Sequence, residues 1–359
     1  MSKKIILTGG GTAGHVTPNI ALLPALKEAG YEIYYIGSKT GMEKELIEKE
    51  GIPYYGISSG KLRRYFNLKN FTDPFRVIHG FFQALGILGR IKPDVVFSKG
   101  GFVSVPVVLA ARLRRIPAVL HESDMTPGLA NRIAMRGAKK ICCNFPETLS
   151  KLPADKGVVT GTPIRQSLYN GSREKGLSLC GFSPEDQNKQ TLLVMGGSQG
   201  SVFINTAVRE ALPELQKSFR IIHLCGKGKK DEALSDRSKY PDYVQYEYID
   251  KELPDIMAAA DIVISRSGAN AICELLALSK PAILIPLALN ASRGDQILNA
   301  RSFEKQGFSY LLEEENVNKD SLLEAVSYVS EHKDDYLSAM NHASGRDAIS
   351  TIMGILESF

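Results

Sequence analysis

Twice in this 359-residue chain an apolar run ends in a cluster of glycines and gives way to a helix-forming stretch. The first time, residues 3–8 lead into Gly9-Gly10-Gly11-Thr12-Ala13-Gly14-His15 and then into residues 16–29. The second time, residues 191–195 lead into Gly196-Gly197-Ser198-Gln199-Gly200 and then into residues 201–212. A strand, a glycine turn and a helix make an anion site, because glycine lets the backbone come close and the helix N-terminus offers unpaired N–H groups. Such units belong to parallel sheets covered by helices on both faces, so the fold class is α/β.

The rest of the chain agrees with that frame. Strand-like runs at 31–36, 53–57, 93–97, 118–120 and 139–143 alternate with helical stretches at 42–50, 103–114 and 126–136. After the second glycine turn, strands follow at 220–224, 244–246, 262–265, 282–285 and 309–312. The expected organisation is two doubly wound Rossmann-like domains, 1–163 and 188–340, with a linker at 164–187. The linker assignment rests on Asn170-Gly171-Ser172, Ser183-Pro184 and sparse apolar periodicity. Residues 341–359 are expected to form a C-terminal helix packing back on the N-terminal domain. Two such sheets facing each other would place both glycine turns at strand ends lining a cleft.

Composition narrows the function. With 43% hydrophobic and 23% charged residues the chain reads as a globular protein, and a net charge of +5 suits anionic ligands or an anionic membrane surface. It is too weak to argue for nucleic acid. Five cysteines, Cys142 and Cys143 adjacent, do not make a disulfide framework and point to a reducing compartment. The first strand begins too early for a signal peptide, and no apolar run approaches bilayer length, so a cytoplasmic setting is expected.

Five constellations could carry chemistry. The spacing Gly9-x-Gly11-x-x-Gly14 satisfies a dinucleotide fingerprint, but strand two ends Ile36-Gly37-Ser38-Lys39 with no acidic residue before Glu43 to hold a ribose diol. A cofactor cradle and a catalytic lip carrying His15 both stay open, as does a helix-capping histidine without chemistry. The turn at 196–200 suits a diphosphate, with Ser198 offering a hydroxyl. It lacks a P-loop ending, and a plain strand-to-helix turn is its alternative. Ser267 and Gly268 open a helix in which Glu274 is either a solvated surface residue or a grip on two ribose hydroxyls. Arg293, Asp295, Gln296 and Asn299 gather at a helix start, where they could contact a sugar or merely cap. In 61–90, Phe71, Phe75, Ile78, Phe82 and Leu85 recur at helical spacing among Lys61, Arg63, Arg64, Lys69, Arg76 and Arg90. A helix packed on the sheet and a membrane-surface element both fit. No Asp-x-Asp pair, metal-ligand spacing or Gly-x-Ser-x-Gly elbow is present.

Taken together, these stretches resemble the family of bacterial N-acetylglucosaminyltransferases that convert lipid I to lipid II in peptidoglycan synthesis, the MurG family. The resemblance runs through residues 9–18, Lys92-Pro93-Asp94-Val95-Val96 with Gly100-Gly101-Phe102-Val103-Ser104, His121-Glu122, 196–200, Arg266-Ser267-Gly268 with Glu274, and Asp295-Gln296 with Asn299-Ala300. It implies a GT-B architecture, UDP-N-acetylglucosamine as donor, undecaprenyl-linked lipid I as acceptor, and neither cofactor nor metal. It implies a peripheral place on the cytoplasmic face of the cell membrane and company in a cell-wall synthesis complex.

Carried over by position, the resemblance implies His15 as general base, an imidazole titrating near neutrality that could take the muramyl hydroxyl proton. Thr12, Ala13 and Gly14 would meet the acceptor's pyrophosphate. Arg165, Ser198, Ser267, Gly268, Glu274, Gln296 and Asn299 would hold the donor. Glu122, Asp124, Asn131 and Asp295 would make further donor or acceptor contacts, and Phe71, Phe75 and Phe82 would touch the membrane. The chain departs from the usual family pattern at Ala13, at Ser123-Asp124 in place of Gln-Asn, and at Asp295 in place of a glutamine. The last two changes alter hydrogen-bond capacity near sugar and diphosphate. The competing expectations are a UDP-N-acetylglucosamine 2-epimerase, a transferase with another acceptor, an NADP-dependent oxidoreductase, and a non-enzymatic nucleotide-sugar-binding scaffold.

Overall fold

A computed structural model describes residues 2–60, 69–184, 189–197, 199–289, 294–343 and 347–359, with the backbone alone for 69–72. The chain divides into two compact units, Met1–Arg165 with Arg346–Phe359, and Gln166–Gly345.

The first unit alternates β1 (Lys4–Thr8), α1 (Thr17–Glu28), β2 (Glu32–Ser38), α2 (Met42–Lys49), β3 (Tyr54–Ile57), α3 (Lys69–Ile91), β4 (Val95–Ser98), α4 (Ser104–Leu113), β5 (Ala118–Glu122), α5 (Leu129–Ala134), β6 (Lys140–Cys143) and β7 (Gly157–Val159). The seven strands are parallel, in the order β3-β2-β1-β4-β5-β6-β7. Alternate side chains of β1 feed opposite cores: Ile5 and Leu7 pack with Leu22, Leu26 and Phe97, while Ile6 packs with Leu88, Val107 and Leu120. A strand buried on both faces must be apolar throughout, as residues 5–7 are.

The second unit begins earlier than the expected boundary. Residues 164–187 were expected to form a linker, but Gln166–Asn170 is a 3-10 helix and Arg173–Leu179 is α6. Ser172 caps α6, Asp255 accepts the Ser172 N–H at 2.7 Å, and Leu168 and Leu177 are buried. The unit continues with β8 (Gln190–Met195), α7 (Val202–Ser218), β9 (Phe219–Leu224), β10 (Tyr243–Tyr246), α8 (Leu253–Ala259), β11 (Ile262–Ser265), α9 (Ala269–Ala277), β12 (Ala282–Leu284), α10 (Asp295–Lys305), β13 (Ser309–Leu311), α11 (Lys319–Glu331) and α12 (Lys333–Ala343). Its six parallel strands run β10-β9-β8-β11-β12-β13. The chain then returns to the first unit as α13 (Ala348–Glu357), whose Ile352, Met353 and Leu356 join the core of Ile5, Leu7 and Leu22.

Both sheets reverse direction beside their central strand, between β1 and β4 and between β8 and β11. In open α/β sheets, ligands bind outside the carboxyl ends of the strands at such a switch point. The two glycine turns sit at these two points.

Candidate active site

At the first switch point, the turn after β1 meets the turn after β4. Gly100 and Gly101 have positive φ, and a Cβ on Gly101 would collide with the Gly10 carbonyl. Two buried residues strap the turn from below: the Tyr35 hydroxyl donates to the Gly9 carbonyl at 2.8 Å, and the Asn19 amide donates to the Thr8 carbonyl at 3.3 Å. Glu43, fully buried at the start of α2, accepts the N–H groups of Gly11 (3.3 Å) and Ser38 (3.0 Å) and the Ser38 hydroxyl. Residues 13–15 form one 3-10 turn, and His15 is half-buried with its Nδ1 3.0 Å from the exposed Thr12 hydroxyl.

Beside this turn, Lys99 and His121 are buried at the ends of β4 and β5. The His121 Nε2–H donates to the Gly161 carbonyl at 2.8 Å, so its Nδ1 accepts from the Lys99 ammonium at 2.9 Å, which also bonds the Ser123 hydroxyl. Burial, and then the Lys99 cation, hold His121 well below the usual histidine range, so it is neutral. Glu122 accepts from Asn131 Nδ2 (2.8 Å) and from the Asp124 and Gly128 N–H groups (each 3.1 Å). Burial raises the Glu122 carboxyl, and the Asn131 bond opposes that rise. Glu122, Asp124 and Asn131 are thus brought together. They form one patch at the carboxyl end of β5.

At the second switch point, Gly200 lies so close to Gly226 and the Cys225 carbonyl that a side chain on either glycine would clash. The Lys229 ammonium spans the Gln199 (2.5 Å) and Gly200 (3.2 Å) carbonyls. Two bonds tie the turn after β11 to α10, and a third ties α10 to the turn after β12. Ser267 Oγ donates to the Gln296 carbonyl at 2.8 Å, Asn299 Nδ2 donates to the Ser267 carbonyl at 3.3 Å, and Gln296 Oε1 accepts the Leu287 N–H at 3.1 Å. Gly268 caps α9, on which Glu274 is half-buried, and Asp295 opens α10 after Gly294. Arg165 is half-buried at the end of the first unit, its Nε without a partner among the described residues. Ser198 and Arg293 lie outside the described residues, as does the side chain of Phe71.

Residues 5–143 match the N-terminal domain of glycosyltransferase family 28, and residues 191–353 match that family's C-terminal domain. The chain belongs to glycosyltransferase family 28. It is therefore a glycosyltransferase built as two Rossmann-like α/β units, a GT-B fold. The chain is 62% identical, over 99% of both chains, to the UDP-N-acetylglucosamine--N-acetylmuramyl-(pentapeptide) pyrophosphoryl-undecaprenol N-acetylglucosamine transferase of Lachnospira eligens. It is 60% identical to the protein of the same name from Lachnoclostridium phytofermentans, over 99% of this chain and 98% of that one. The crystal structure of Acinetobacter baumannii MurG has the same fold, with a TM-score of 0.79 at 24% identity over 99% of this chain and all of that one.

Within this family 28 enzyme, three residues beside the turns were not singled out from the sequence. Glu43 is signalled only by Gly10 and Gly41, which leave room for its carboxylate. Lys99 and Asn19 are polar residues in apolar surroundings, a pattern that a single sequence does not separate from surface polarity. Among the described residues, no group of three or more His, Cys, Asp or Glu is placed to hold a metal ion, and none of the five cysteines forms a disulfide.

Proposed function

We infer that this family 28 enzyme makes lipid II, transferring N-acetylglucosamine from UDP-N-acetylglucosamine to the C4 hydroxyl of the muramyl sugar of undecaprenyl-linked lipid I. The observation that carries the reading is the 62% identity over 99% of the chain to a relative whose name states that transfer. The reaction is inverting and uses no metal ion. The C4 oxygen attacks the anomeric carbon, the bond to UDP breaks, and the hydroxyl proton passes to His15 Nε2. For Nε2 to have a lone pair, Nδ1 must hold its hydrogen and donate it to Thr12 Oγ1, the neighbour 3.0 Å away. The Gly11 N–H is taken by Glu43, and the acceptor's pyrophosphate meets the loop at Thr12, Ala13 and Gly14.

On the donor side, charge developing on UDP falls on the turn at 196–200 and the N-terminus of α7. Gln296 gives its Oε1 to the Leu287 N–H and keeps two amide hydrogens for the sugar. Glu274 accepts the ribose hydroxyls, and Arg165 lies by the uracil. Glu122, Asp124, Asn131 and Asp295 tune donor and acceptor contacts. The membrane face is α3, where Phe75, Ile78 and Phe82 are 74%, 54% and 62% exposed beside Arg76. An apolar stripe with a flanking cation suits the surface of an anionic bilayer. Among the described residues no helix is long and apolar enough to cross a membrane.

The test is a ligand panel followed by product analysis. UDP should raise the melting temperature and NADPH should not. Proton NMR of the disaccharide formed from the α-linked donor should show a β linkage. Stabilisation by NADPH alone, or a retained α linkage, would overturn the reading.

A further inference from the structure

The serine that closes the second glycine turn is wired so that it can only give a proton away. Ser201 caps α7, a 17-residue helix, and is 8% exposed. Its Oγ accepts two hydrogen bonds, from the Ile204 N–H at 3.3 Å and from Arg266 Nη2 at 2.9 Å. A hydroxyl has two lone pairs and one hydrogen. With both lone pairs engaged, the hydrogen is left to donate, and it donates to none of the described residues.

Arg266 fixes this arrangement. It is also 8% exposed, and its Nη1 donates to the Ile285 and Pro286 carbonyls, each at 3.1 Å. Its Nη2 also reaches Glu314 Oε1 at 2.6 Å, and Glu314 Oε2 takes the Ala288 N–H at 2.9 Å. One planar guanidinium therefore ties the α7 cap to the exits of β11 and β12, the edge where the donor residues gather. On the other side, Lys229 holds the Gly200 carbonyl, and a trans peptide then turns the Ser201 N–H to the opposite side of the turn.

The geometry assigns Ser201 as a diphosphate-binding residue of the donor site, its hydroxyl donating to a phosphate oxygen, with Arg266 as the positioning residue that keeps it a donor. This rests on the nucleoside-diphosphate donor proposed above. An O–H donated to an anionic oxygen is a strong, short bond, and an α7 N-terminus of the same polarity adds to it.

Calorimetric titration with UDP and with uridine separates the phosphate contact from the rest of the pocket. Ser201→Ala should weaken UDP about 10-fold and leave uridine unchanged. Ser201→Asp still accepts from the Ile204 N–H and Arg266 but has no proton to give, so it should keep the melting temperature and lose more UDP affinity. Ser201→Thr, which keeps the hydroxyl, should restore UDP affinity, and Arg266→Lys should weaken UDP with uridine unchanged. Unaltered UDP affinity in Ser201→Ala, or equal losses for UDP and uridine, would overturn the assignment while leaving the proposed function standing. A wild-type protein that binds no UDP would overturn both.

Discussion

Thr12 and His15 form the smallest unit that the proposed chemistry needs. Removing the base, His15→Ala, should lower kcat by about 100-fold or more while the donor KM holds. Thr12→Val keeps the imidazole but removes the partner of Nδ1, and should lower kcat about 10-fold. Steady-state kinetics with varied donor checks both, and an unchanged kcat in His15→Ala would remove the base role. Each unit also buries one neutral histidine. Burial, and then Arg209, push His223 down to about 3, and His121 is likewise held well below its usual range. An unfolded histidine takes its proton near pH 6.5, so between these values the unfolded chain binds more protons and stability rises with pH. The contribution is complete above about pH 6.5 and is lost as pH falls toward the folded values. Going from pH 7.5 to 5.5 should cost about 1.4 kcal/mol through His223, with His121 acting in the same direction, read from urea unfolding at the two pH values. A midpoint that holds or rises at pH 5.5 would contradict this.

At the scale of elements, α3 divides its residues between two environments. Gly80, Ala84 and Leu88 face inward, and Gln83 accepts the Ser58 N–H at 2.7 Å, while Phe75, Ile78 and Phe82 point out. Replacing Phe75 and Phe82 by Ser should therefore strip liposome binding, in a sedimentation assay, with stability changed by about 0.5 kcal/mol or less per site. Unchanged sedimentation would return the helix to a purely structural role. The helical period of this segment was legible in the sequence, but its pattern alone did not separate outer from inner apolar residues, because both faces carry them; only the family resemblance pointed to Phe75 and Phe82, which are exposed. Most strands were legible because each is a short apolar run behind a breaker. The strand β7 was not, since Gly157-Val158-Val159 is only half-buried and too short to show a period. α7 runs past Leu212 to Ser218 despite Pro213, because Leu215 is buried in the core and holds the last turn. The helices at 166–179 were hidden by Asn170-Gly171-Ser172, which read as a linker although Ser172 is a cap. Of the site, the glycine turns, His15 and the Ser267, Gln296 and Asn299 set could be found by motif. Glu43 and Lys99 could not, because their roles come from pairing across 20 or more residues of chain or from burial.

Over the whole molecule, the chain starts the first unit, builds the second and returns to the first. The last helix is part of the first core. Truncation after residue 346 would uncover Leu22 and Leu26 and remove Ile352, Met353 and Leu356, a loss on the order of 5 kcal/mol. The melting transition of the first unit should fall while the second unit still binds UDP. Loss of UDP binding in the truncated protein would contradict that division. The central claim is the reaction itself, and labelled UDP-N-acetylglucosamine with a lipid I analogue in EDTA tests it most directly. The predicted result is a lipid-linked disaccharide that forms with the acceptor present and not without it. Isomerised donor in the absence of acceptor, or no transfer to that acceptor in the presence of bound UDP-N-acetylglucosamine, would contradict it.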